Sequence, residues 1–104
     1  MILLALAASH AFTVLSPGST SCGQWTVDHT RASGPNYWAE QSYVAGVLTG
    51  YNRYGPDGGG DVTLGVDEAG WTAWMNNYCA THPLEPIVQA VNELIISLKK
   101  ARTP

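Results

Sequence analysis

The amino-acid sequence predicts an all-α fold, a small bundle of about four helices stapled by one disulfide, Cys22–Cys79. Three observations predict it. Trp71, Trp74, Met75 and Tyr78 recur at i, i+3, i+4 and i+7, one face of a helix, and Cys79 closes that face. Ile87, Val91, Leu94 and Leu98 draw a second apolar stripe, widened by Val88 and Ile95. Cys22 and Cys79 are the only cysteines of 104 residues, a one-domain length at which a cross-link stabilises appreciably.

The elements follow in chain order. Met1 to Ala11 opens with an apolar run over residues 1–8, far short of the roughly 20 needed to span a bilayer. It closes on Ser9-His10-Ala11, small residues at the −3 and −1 positions of a signal-peptidase site. The expectation is a signal peptide over 1–11, truncated at its start because a basic n-region is missing; the competing reading is a buried N-terminal strand or helix. Residues 12–21, rich in Ser, Thr, Pro and Gly, read as a flexible leader, and 22–104 as a single helical domain.

A short helix at Cys22-Gly23-Gln24-Trp25 would put Cys22 and Trp25 on one side. The polar run 26–35 reads as a solvated loop. Asp28-His29 within it has the composition of a general-base pair, but adjacent residues point in different directions and no nucleophile stands nearby. Pro35 opens a helix over about Asn36 to Tyr54, with Tyr43, Val47, Gly50, Tyr51 and Tyr54 at helical spacing. Gly46 and Gly50 form a small-xxx-small pair that would let another helix approach. Gly55 to Asp61 reads as a mobile loop. Asp57 and Asp61 hint at calcium, but the alternating oxygen ligands and closing Glu of an EF-hand are missing. Asp67 is suited to cap the Trp71–Cys79 helix, which His82-Pro83 ends. Leu84 to Arg102 is the last predicted helix, with Pro86 in its first turn.

Composition excludes some functions. Net charge is −3, and three of the five basic residues, Lys99, Lys100 and Arg102, sit in the last turns of the chain. A nucleic-acid partner is therefore not expected. Stable membrane insertion is not expected either, and no cofactor motif is present. For the cysteines, a disulfide, two free thiols and a zinc site completed by His29 and His82 are all conceivable. The spacing is unlike a compact zinc module, and the export signal favours the disulfide.

Ser21-Cys22-Gly23-Gln24-Trp25, Tyr43 to Asn52, and Trp74 to Leu84 together resemble a group of small exported bacterial proteins over about residues 21–98. More distantly the chain is similar to HdeA-type periplasmic acid chaperones and to Tai-type immunity proteins, which block cell-wall amidases. The resemblance implies a periplasmic or secreted helical protein with one disulfide. The chain departs from the chaperones in holding only eight Asp and Glu, and it has no identifiable amidase-binding loop.

No Ser/His/Asp set, paired-carboxylate motif or metal motif supports an enzyme. The expectation is a protein that acts by binding another protein, an immunity or inhibitor type, with an acid-activated chaperone as the alternative. Candidate partner-binding residues are Tyr37 and Trp38 at a helix start, and Asp57 and Asp61 in the glycine-rich loop.

Overall fold

The computed structural model describes residues 12–56 and 60–102. It contains α1 (Cys22–Asp28), α2 (Pro35–Tyr54), α3 (Glu68–Thr81) and α4 (Ile87–Arg102), with no strand among the described residues. The all-α bundle is as predicted. Cys22 and Cys79 are bonded, with their Cα atoms 4.7 Å apart. Residues 1–11, expected from the sequence to be a signal peptide, and Asp57 lie outside the described residues.

α1 is only seven residues long, too short to persist alone. Ser21 caps it by accepting the Gln24 N–H at 3.0 Å. Its first two N–H groups would otherwise be orphaned. Cys22 N–H donates to the Glu85 carbonyl (2.7 Å) and Gly23 N–H to that of Pro83 (2.9 Å). The exchange is reciprocal, because Ile87 and Val88, the first residues of α4, donate to the carbonyls of Thr20 (2.8 Å) and Gly18 (2.9 Å). From Gly18 onward, the stretch read as a flexible leader is thus tied to the α3–α4 corner. The same bonds delay α4. Leu84 was its predicted start, but the Pro83 and Glu85 carbonyls face α1, so the helix begins at Ile87 under the Pro86 carbonyl.

Gly34, at φ +102°, turns the chain into α2, and Pro35 pre-sets its first turn. The buried face of α2 is Glu40, Gln41, Val44 and Leu48, not the predicted stripe. Tyr43, Val47 and Tyr51 lie half-buried on its flank, and Tyr54 is exposed. Gly46 and Gly50 mark no close helix approach, since a Cβ on either would meet nothing within 4 Å. α3 is capped as predicted, with Asp67 Oδ1 accepting the Gly70 N–H at 2.8 Å. It buries Trp71, Met75 and Cys79. Together with Trp25, Val44, Ile87, Val91 and Leu94 these form the core.

Removing the bridge in a Cys22→Ala, Cys79→Ala double variant restores a chain segment spanning 57 positions to the unfolded ensemble. The expected loss is about 4 kcal/mol in a urea titration. Gly18→Ala places a Cβ on the Tyr43 hydroxyl. It should cost about 1–3 kcal/mol in the same assay.

Candidate functional site

Two places in the bundle carry polar chemistry or an unfilled surface. The first is a polar knot where α1, α2 and α3 meet. The predicted solvated loop 26–35 does not hold Asp28 and His29 in solvent. Asp28 is the last residue of α1 and His29 its C-cap, and the His29 side chain is 3% exposed. The ring lies flat on the Trp25 indole, centroids 3.7 Å apart, because the two residues are one helical turn apart. The Tyr37 ring also contacts it, tilted by 56° with centroids 4.8 Å apart. His29 Nδ1 lies 2.9 Å from the Trp25 carbonyl and 3.4 Å from Glu40 Oε1, and Nε2 lies 3.0 Å from Gln41 Oε1. The Gln41 amide donates onward to Glu68 Oε2 (2.8 Å) and Thr72 Oγ1 (3.1 Å) on α3.

Glu40 is 2% exposed. Burial, and the Asp28 carboxyl within hydrogen-bonding reach, push its carboxyl up from 4.5 to about 8. It therefore carries its proton at neutral pH and can donate to Asp28, whose carboxyl that bond holds below its ordinary value. The arrangement has the composition of an acid–base pair but no opening, since the Glu40 and His29 side chains are each 3% exposed. Its evident work is to join three helices.

The second place is an open groove of about 580 Å³ between the start of α3 and the end of α4. Val66, Trp71, Trp74, Leu94 and Leu98 supply its apolar walls, and Asp67 is the charged residue at its edge. Gly65, at φ +83°, and Gly70 bring backbone to the rim without side chains to fill the groove. Trp74 is held in place by a ladder along α3. It stacks on Tyr78 (5.2 Å), which stacks on His82 (3.9 Å). The Tyr78 hydroxyl donates to Glu85 Oε1 at 2.6 Å, a bond that pushes the phenol up to about 12.

The residues singled out from sequence fall elsewhere. Trp38 is 57% exposed and packs edge-on against Tyr37, so this pair presents one aromatic surface over the knot. Asp61 is turned into its own loop, where Oδ1 accepts from Thr63 N–H, Thr63 Oγ1 and Asn52 Nδ2. Among the described residues no cluster of three or more His, Cys, Asp or Glu could hold a metal ion. The cysteines weighed for zinc with His29 and His82 are joined to each other. The groove was not located from sequence, although Trp71, Trp74 and the Leu94–Leu98 pair were all identified as apolar faces. No protein family, curated protein or solved structure matches the chain.

Gln41→Leu removes the link between His29, Glu68 and Thr72 while keeping the volume. It should destabilise by about 2 kcal/mol, read from the urea midpoint, because buried polar atoms lose their partners.

Proposed function

We propose that this protein acts by binding another protein, as a small exported protein of immunity or inhibitor type. We further propose that the groove between α3 and α4 receives an apolar side chain of that partner. The groove is the observation that carries the reading. It is concave and apolar, and it is walled by two tryptophans, one of them held in place before any partner arrives. Aromatic pockets on rigid elements are where binding energy concentrates, because ordering costs little there. Leu64, next to the groove's Gly65, is 64% exposed and adds apolar surface. The Tyr37–Trp38 surface is a second contact area. An intramolecular disulfide is compatible with an oxidising compartment, which supports a periplasmic or secreted location. No helix among the described residues is long and apolar enough to cross a membrane.

The knot favours this reading over an acid-activated chaperone. A chaperone released by acid needs a fold that loses stability as protons bind. Glu40 works in the opposite sense. Its folded value lies above the unfolded 4.5, so its contribution is fully present below 4.5 and is lost as the pH rises through about 8. Asp28, with its lowered value, gives up its contribution to acid only as the pH falls below about 3.8.

The test is photo-crosslinking in the native host from position 98 in the groove and, as a control, from position 49 on the exposed side of α2. The expected result is an adduct from Leu98 to one identifiable protein, absent from Thr49. Trp74→Ala should then weaken the purified pair by about 2 kcal/mol, roughly thirtyfold. Equal adducts from both positions, or an unchanged affinity in Trp74→Ala, would show that the groove is not the binding surface.

A further inference from the structure

The knot holds more acceptors than donors. Gln41 donates through Nε2 to Glu68 and Thr72, so its Oε1 is the atom that faces His29 Nε2, as an acceptor. The other ring nitrogen faces two more acceptors, the Trp25 carbonyl and Glu40 Oε1. The two carboxyl groups pose the same problem. Asp28 Oδ2 and Glu40 Oε1 are buried and have no hydrogen-bond partner. One proton between the carboxyls turns repulsion into a bond.

We propose that the α1–α2 corner is a proton-operated clasp, closed while one proton sits between the Asp28 and Glu40 carboxyls and loosened as it leaves with rising pH, the disulfide-linked remainder staying folded. The charged groups facing it are Asp28 and His29 from α1, Glu40 from α2 and Glu68 from α3 through Gln41. α4 meets the core through apolar Ile87, Ala90, Val91 and Leu94. With that proton gone, Asp28 and Glu40 are two neighbouring carboxylates with buried, unpartnered oxygens, next to the fully buried Trp25. The corner yields first because α1 is seven residues long and α2 enters it from the uncapped Gly34.

The experiment is a melting series from about pH 6 to about pH 9, with hydrogen exchange read at the same points. The melting temperature of the native sequence should fall by roughly 5 °C or more. Protection of the Ala39–Val44 amides should fall about tenfold further than that of Val91–Leu94. Glu40→Gln donates to Asp28 without titrating and should remove at least about half of the decline. A flat melting curve in the native sequence, an equal decline in Glu40→Gln, or a uniform loss of protection would overturn the clasp. If Glu40→Gln does not fold, the carboxyl carbon of Glu40 is titrated by NMR in the native sequence. A midpoint near the ordinary 4.5 overturns the proposal, and one near 8 supports it.

Discussion

The covalent bond from Cys22 to Cys79 decides what the other helices can do. It fixes a helix of about two turns, α1, against the rest of the bundle, where an element so short could not hold its place alone. Once there, α1 sets Trp25 wholly inside the core with its indole N–H donating to Asn76 Oδ1 at 2.8 Å. A buried tryptophan contributes a large apolar area, and its polar edge costs little when it is paired. The bond is reinforced at the backbone. The N-termini of α1 and α4 exchange donors with each other's approach segments, so neither start leaves an open N–H at that corner. The sequence has few charges to spend at its surface. This corner explains how it still orders a helix whose own propensity is weak.

Anchoring α1 also forces polar atoms inside. Its last turn carries Asp28 and His29 to the point where α2 crosses, and the side of α2 that faces them is Glu40-Gln41. Burying such groups is tolerable only when each acceptor meets a donor. The chain arranges this through one amide, Gln41, which spans from the imidazole to α3, and through the proton that Glu40 can give to Asp28. The result is specificity of packing. An apolar pair at 40 and 41 would let α2 rotate about its axis, whereas the knot accepts a single rotation.

α3 and α4 were legible because their core residues are large, apolar and spaced for one face, and because Asp67 and His82-Pro83 mark the ends of α3. The disulfide was legible because two cysteines leave one possible pairing. α2 was misread for a physical reason. Its flank is aromatic, at Tyr43 and Tyr51, while half of its buried face is polar, so a rule that equates buried with apolar selects the wrong side. His29 was missed by the same rule, applied to the polar run 26–35. A usable signal was present: His29 stands four residues after Trp25, and an aromatic pair at that spacing is a stack if the helix runs one turn further. The reciprocal bonds around Gly18–Ser21 left no trace in side-chain pattern, because they are made by backbone alone.

The groove follows from how α3 divides its surface. Glu68 and Thr72 point to α2, Met75 and Cys79 to the core and α1, and Trp71 and Trp74 toward α4. α4 meets them with Leu94 and Leu98, but the loop that leads into α3 contributes Gly65, and the first turn of α3 Gly70, where bulk would be needed to close the seam. Gly65 must be glycine to adopt its positive φ, and Gly70 lies against the Asp67 cap, where a Cβ would sit 3.2 Å from Oδ1. The turn and the cap that start α3 are therefore the reason the seam stays open. Apolar wall left uncovered beside a rigid tryptophan ladder costs stability in isolation. A partner side chain that entered would recover that cost without reordering the helices, which is why the proposed binding surface is placed here and not on the glycine-rich loop.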